Sequence, residues 1–387
     1  MRSELEASGR TARAGGAGVS YRRELLLAAM MAESSQRGFQ ETTVARIVTR
    51  AGVSRAEFYR QFAGKQACFL AAFDEMIQRT WSRVALASET LTPAVSDPQT
   101  RLRAGITLLL DLARAQPEAA KLCFVEARGA GAQAAERLDK GLELFEQALL
   151  YREPSELKAP AKTLVIVMGI VGGVYRVIYE RLRSDRQREL PRLIEEVVQW
   201  VLLYDDPKQT PRSSEQTARD KQRVPASAKA ADRAAPQRWG SSRRARLAAY
   251  DAGIERLLDA TGQPLREATD WPTGVRGALS AATELLGGDP ALLELLTVGI
   301  FTLGQVGRER DAQSLSAFAA LLAPGEELVG DRASAALRSE LVAGGIWEVL
   351  RRHAVRERGP QLPEQARTLS FLALAPFIGL QAAARAG

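Results

Sequence analysis

Histidine occurs once in 387 residues and cysteine twice. A single imidazole, His353, leaves no material for a histidine-rich metal site, and any triad would have to be built around it. Its neighbours Arg351, Arg352 and Arg356 suggest a solvated helix face. Cys68 and Cys123 cannot staple a chain of this length, which points to a reducing cytoplasm and to two small core residues. Aromatics are only 6% of the chain, which argues against an aromatic-rich β-sandwich. No uninterrupted apolar run reaches the roughly 20 residues a membrane span needs. Leu164–Tyr179 is broken by Arg176 and Leu369–Ala384 by Gln381. The first 20 residues carry Arg2, Arg10 and Arg13 without the apolar stretch of a secretory signal. No cysteine pair has metal spacing and no glycine loop is shaped to cradle phosphate. These absences predict a protein with no cofactor, no metal, no membrane partner and no enzymatic activity.

Apolar residues make up 46% of the chain, enough for more than one core. They recur at three- and four-residue spacing in Leu102–Ala115, Leu138–Leu150, Leu164–Leu182 and Leu190–Tyr204. The same spacing appears in Gly274–Leu286, Ala291–Leu303, Ser314–Leu322, Ala333–His353 and Pro363–Ala383. No segment sustains a period of two. The chain reads as all-α. Charge is unevenly placed: residues 1–66 carry +5, 67–207 carry −2, 208–246 carry +8 and 247–387 carry −4. Residues 206–242 are rich in Pro, Ser, Ala, Gln and basic side chains, with almost nothing large and apolar, and are expected to form a flexible basic linker. Residues 1–19 are expected to be a disordered tail.

The chain repeats itself. Leu70-Ala-Ala-Phe-Asp74, with Ile77 and Arg79, returns 177 positions later as Leu247-Ala-Ala-Tyr-Asp251, with Ile254 and Arg256. Arg103, Leu112, Pro117, Leu122, Glu136 and Arg137 return 173 later as Arg276, Leu285, Pro290, Leu295, Glu309 and Arg310. Gly172-Gly173, Arg186 and Pro191 return 172 later as Gly344-Gly345, Arg358 and Pro363. A nearly constant offset over more than 100 residues predicts two copies of one helical-bundle lobe, at 67–205 and 243–387. Paired glycines inside a helix cost about 2 kcal/mol relative to alanine. Their recurrence predicts a close approach to the backbone, by a neighbouring helix or by a bound molecule.

Residues 20–66 are not repeated and read differently. Leu25, Leu26, Ala29 and Met30 form the stripe of a first helix. Thr42 and Thr43 offer N-caps to a second, and Val44, Ile47 and Val48 face inward from it. Ala51-Gly52-Val53 is a turn in which Gly52 can take the positive φ required. Ser54 and Glu57 have capping-box spacing for a third helix, on which Phe58 and Phe62 point inward. Arg55, Ala56, Tyr59 and Arg60 then point outward. Two short helices, a glycine turn and an exposed basic second helix make a helix-turn-helix, whose second helix enters the DNA major groove.

The segment Thr42-Thr-Val-Ala-Arg-Ile-Val-Thr-Arg-Ala-Gly-Val-Ser-Arg-Ala-Glu-Phe-Tyr-Arg-Gln-Phe-Ala-Gly-Lys65 resembles the DNA-binding signature of the tetracycline-repressor (TetR/AcrR) family. The resemblance implies operator DNA as a partner. It places Thr43, Tyr59 and Lys65 against phosphates and Ser54, Arg55 and Ala56 against bases, with Arg60 and Gln61 in the same surface. Glu57 stands where threonine is frequent, in keeping with the capping box or with recognition of cytosine N4 donors. Gln61 stands where histidine is frequent and keeps a neutral phosphate contact.

The resemblance also implies that residues 67–205 bind a ligand and dimerise. A small, largely apolar effector would enter a pocket drawn from Trp81, Cys123, Phe124, Phe145, Met168 and Tyr175 and release a repressor from its operator. The alternative is a DNA-binding regulator whose lobes serve protein contacts and sense no small molecule. In the family two chains pair through the last two helices of the lobe. With that lobe present twice, the expected assembly is an ordinary homodimer or an intrachain pseudo-dimer.

Overall fold

The computed structural model describes residues 21–90, 98–150, 161–204, 239–240, 242–329 and 332–386. The expected tail at 1–19 and nearly all of the basic linker lie outside the described residues. A helix over 21–37 (α1) precedes Val44–Ala51 (α2) and Arg55–Gln61 (α3). The first lobe follows: Lys65–Thr90 (α4), Pro98–Ala115 (α5), Pro117–Lys121 (α6), a π-helical turn at Leu122–Glu126 and Ala132–Leu150 (α7). Ala161–Arg183 (α8), a 3-10 turn at Gln187–Leu193 and Ile194–Leu203 (α9) complete it. The second lobe begins with Arg243–Glu267 (α10), Trp271–Gly288 (α11), Pro290–Thr297 (α12), a 3-10 turn at Gly299–Leu303 and Gly304–Ala320 (α13). It ends with Ala323–Glu326 (α14), Arg332–Val355 (α15), a 3-10 turn at Gly359–Gln365, Ala366–Ile378 (α16) and Leu380–Ala386 (α17). No strand occurs among the described residues. No single helix among them is long and apolar enough to cross a membrane.

Local chemistry explains the breaks. Ser242, Asp270 and Asp289 cap α10, α11 and α12 by accepting the backbone N–H three residues on. Pro290 occupies the first turn of α12, where its missing N–H is not needed. The run expected as one helix over 291–303 is bent instead. It leaves helical geometry at Val298, and Gly304 takes a φ of +68° where the next helix starts. The run expected over 363–383 divides at Gly379, at φ +80°, three residues after Pro376. The helix expected from Ser314 starts at Gly304, because Arg308 and Asp311 occupy buried positions on its inner face that apolar spacing does not reveal.

The order of elements in α4–α9 recurs in α10–α16, with the short α14 added. Details recur with it. Among the described residues the only non-glycine positions with positive φ are Asp185 (59°) and Glu357 (55°), 172 apart. Each is followed by an amide that bonds back over a helix end, Arg186 to Arg181 at 2.7 Å and Arg358 to His353 at 2.8 Å.

The lobes meet along a seam in which α8 and α9 pack on α15 and α16. Here the glycine pairs find their reason. A Cβ on Gly172 would lie 2.4 Å from Glu348 Cβ, and one on Gly344 would lie 2.7 Å from Arg176 Cβ. A Cβ on Gly173 would lie 2.4 Å from the Leu341 carbonyl, and one on Gly345 would lie 2.4 Å from that of Gly169. Each contact becomes its mate when the two helices exchange roles at an offset of 172, which is the signature of a two-fold relation. The close approach is by a helix.

The seam is also charged. Arg128 grips Glu348 through two bonds of 2.7 and 2.6 Å, and Arg176 reaches Asp311 at 2.6 Å. Arg351 pairs with Asp139 and Glu348. Arg352 bonds Glu143 at 2.8 Å and Glu146 at 2.6 Å. The solvated face expected around His353 is thus buried: Arg351, Arg352 and His353 all lie within the seam. Burial alone would raise the Glu348 carboxyl, but Arg128 and Arg351 beside it hold it well below the usual carboxylate range.

Candidate nucleic-acid interface

Each turn of the N-terminal unit has a residue that makes it. Thr43 Oγ1 accepts the Arg46 amide and starts α2. Gly52 ends it at φ +66°, its N–H donating to the carbonyls of Val48 and Thr49. Ser54 Oγ accepts the Glu57 amide at 3.1 Å and starts α3. Ile47, Val48, Phe58 and Phe62 are buried with Leu26 and Met30, so the opposite side of α3 faces out.

That side carries Ser54, Arg55, Ala56, Tyr59 and Arg60, all exposed, and Thr43 is exposed at the start of α2. The Tyr59 ring is braced edge-on by Phe58, with centroids 5.4 Å apart. Six of the eight residues expected to contact DNA are thus exposed. The other two lie differently. Gln61 is half-buried and donates to Glu57 Oε1 at 3.2 Å. Lys65 donates to the carbonyls of Phe39 (2.9 Å) and Gln40 (3.3 Å) and sits 4.3 Å above the Phe39 ring. Burial pushes its ammonium pKa down, and nearby Glu41 opposes that shift.

Glu57 corrects the capping-box reading in part. Its amide completes the Ser54 half, but its carboxylate is buried and turned to the guanidinium groups of Arg22 and Arg60. A carboxylate so engaged is not presented to a cytosine edge.

The α1–α2 turn and the start of α4 are tied to the segment 126–130 of the first lobe. The Phe39 amide donates to Glu126 Oε2 at 2.8 Å, and Arg308 of α13 reaches the same carboxylate at 3.2 Å. Gln40 donates to the Gly129 carbonyl at 2.7 Å and Gln66 to that of Ala130 at 2.5 Å. Burial raises the Glu126 carboxyl, while Arg308, the Phe39 amide and Lys121 pull it back. Glu126 and Arg308 were not anticipated: their positions are 182 residues apart, and each looks like an ordinary helix charge.

Of the residues expected to line a pocket, two meet. The Tyr175 hydroxyl donates to the Phe124 carbonyl at 2.9 Å, the two rings stack 6.0 Å apart, and buried Cys123 is their neighbour in the chain. Arg128 lies 4.3 Å over the Tyr175 ring. Phe145 is half-buried in the same core. Met168 is elsewhere, in the seam with Val349 and Leu369. The side chain of Trp81 lies outside the described residues. No group of three or more metal-ligating side chains occurs among the described residues.

Residues 26–72 match the model of the bacterial regulatory proteins of the tetR family. The chain carries a tetR-family DNA-binding domain. It is therefore a DNA-binding transcription regulator. No curated protein matches the chain. Solved structures similar to it include FadR, a fatty acid degradation regulator from Bacillus halodurans, at 19% identity and a TM-score of 0.40. That match covers 46% of this chain and 97% of that one. FadR from Bacillus subtilis, solved in complex with stearoyl-CoA, is 16% identical with a TM-score of 0.40, over 46% and 96% of the two chains. A TetR-like regulator from Rhodococcus sp. RHA1 is 19% identical with a TM-score of 0.37, over 47% and 96%.

Proposed function

We propose that this cytoplasmic regulator occupies one operator half-site as a monomer and represses transcription there without catalysis. Its parts are a reader at 20–66, a first lobe at 67–205, a basic linker at 206–242 and a second lobe, a copy of the first, at 243–387. The observation that carries this reading is the seam. The helices α8, α9, α15 and α16, which correspond to those that pair two chains in the family, are here packed on one another within a single chain. A two-fold face used in this way has no surface left for a second chain, and one chain has one reader. Light scattering at micromolar concentration tests it. A mass near 42.1 kDa with protection of a single half-site is the expected result. A stable dimer of the full chain overturns it.

The reading extends to an effector. A small, largely apolar molecule disturbing the Phe124–Tyr175 stack would move the π-helical turn Leu122–Glu126, which also carries the carboxylate that holds the reader at Phe39. Such turns recur at functional sites because their wider ladder is easily rearranged. The effector then acts by favouring the arrangement in which Glu126 has left Phe39. Apolar compounds of graded length should raise the melting temperature and release DNA together. Repeated failure to do either leaves the lobes as protein-contact modules, the competing reading.

A further inference from the structure

A cleft of about 600 Å³ separates the α1–α2 turn of the reader from the start of the second lobe. Arg37, Gly38, Gln40 and Glu41 form one wall, and Arg243, Arg246 and the segment Thr302–Glu309 form the other. Its arginines are not equivalent. Arg37 faces Glu33, and Arg308 faces Glu126. Among the described residues Arg243 and Arg246 donate only to neutral acceptors, the Leu303 carbonyl at 2.9 Å and Thr302 Oγ1 at 3.2 Å. Arg246 Nε is shielded from solvent and has no hydrogen-bond partner among the described residues. Arg244, between them, is exposed and makes no hydrogen bond or ion pair among the described residues. Among the described residues these three arginines have no ion-pair partner; Arg243 and Arg246 line the cleft with Glu41 and Glu309, of which Glu309 already accepts from Gln305.

We propose that Arg243, Arg244 and Arg246 are a second DNA-binding surface, on which the second lobe holds backbone phosphates next to the half-site read by α3. The proposal rests on the monomeric reading above and supplies what that reading lacks, a contact in place of a second reader. Two observations favour duplex DNA over a free phosphate-bearing molecule. In the cleft wall Glu41 is two residues along the chain from exposed Thr43, an expected phosphate contact, which sets the site beside the surface that this reading gives to the duplex. The arginines also close a stretch, 208–246, that carries +8, a length of charge suited to a long polyanion.

The test uses the full chain, an operator recovered by selection from random duplexes, and the triple variant Arg243→Gln/Arg244→Gln/Arg246→Gln. On a duplex with long flanks, the slope of log affinity against log salt should fall by roughly one for each arginine engaged. On a duplex trimmed to the half-site, affinity should match the parent. Base preferences should be unchanged on both, and replacement of the three by lysine should restore the slope. If the triple variant fails to fold, Arg244→Gln alone, at an exposed position, should reduce the slope by about one. An unchanged slope on the long duplex overturns the proposal, as does saturable binding of inorganic phosphate with the DNA slope intact. Failure of the parent chain to bind any duplex, by contrast, refutes the regulator reading itself.

Discussion

Replacing Glu348 with Gln tests whether the seam holds the lobes together through its charges. The carboxylate accepts two bonds from Arg128, at 2.7 and 2.6 Å, and one from Arg351 at 2.9 Å, in a site closed to water. A hydrogen bond to a charged group is worth about 1.5–3 kcal/mol, so three taken separately would give roughly 4.5–9 kcal/mol. The effect is smaller than that sum, because neither arginine is stranded. Arg351 keeps Asp139, and Arg128 keeps the faces of Tyr175 and Phe301 at 4.3 and 5.4 Å. The expected loss is about 3–5 kcal/mol, the usual consequence of breaking a buried ion pair from one side. Denaturation in guanidinium chloride should show it as a lower midpoint for the Gln variant. Removing both partners, as Arg128→Met/Glu348→Leu, should recover much of the loss, since a buried pair replaced by apolar groups of similar volume is often neutral. The sign with pH follows from the same geometry. The folded carboxyl titrates below its unfolded value, so its stabilisation is complete above the unfolded pKa and is lost only as pH falls through the folded one. The parent should therefore keep its advantage over the Gln variant at pH 5 and lose it only in strong acid. A Gln variant within 1 kcal/mol of the parent at pH 7 would refute the reasoning.

Three further outcomes follow from other sites. Arg55→Ala, at an exposed position on α3, should cost about 1–3 kcal/mol of operator affinity and relax preference at one or two bases if α3 reads the groove; unchanged preferences in a selection assay would refute that role. Glu126→Leu should cut protection of the Phe39 amide against hydrogen exchange by about 10-fold or more, since that amide loses a charged acceptor at 2.8 Å. The two thiols should be inert to a disulfide reagent in the native protein and reactive in denaturant: both are buried, and burial pushes Cys68 up to about 12 and Cys123 higher still.

The helical class and the reader were legible in the sequence because their causes are local. Thr43, Gly52 and Ser54 each act within three or four residues of their own position, and Phe58 and Phe62 share a face by helical period alone. The repeat at 172–177 positions was legible for a related reason, since equivalent turns need equivalent residues. Glycine pairs at 172–173 and 344–345 signalled a close approach, but only the packed helices showed that each pair admits the other lobe. What tertiary structure alone decided is where the charges go. Arg351 and Arg352 beside His353 have the pattern of a wet helix face, and Arg308 and Glu126 that of two scattered helix charges. Their partners lie about 180 to 212 residues away, brought near only when α15 meets α7 and α13 meets the turn after α6. Burial of a charge is fixed by what faces it across an interface, and periodicity along one helix carries no record of that surface.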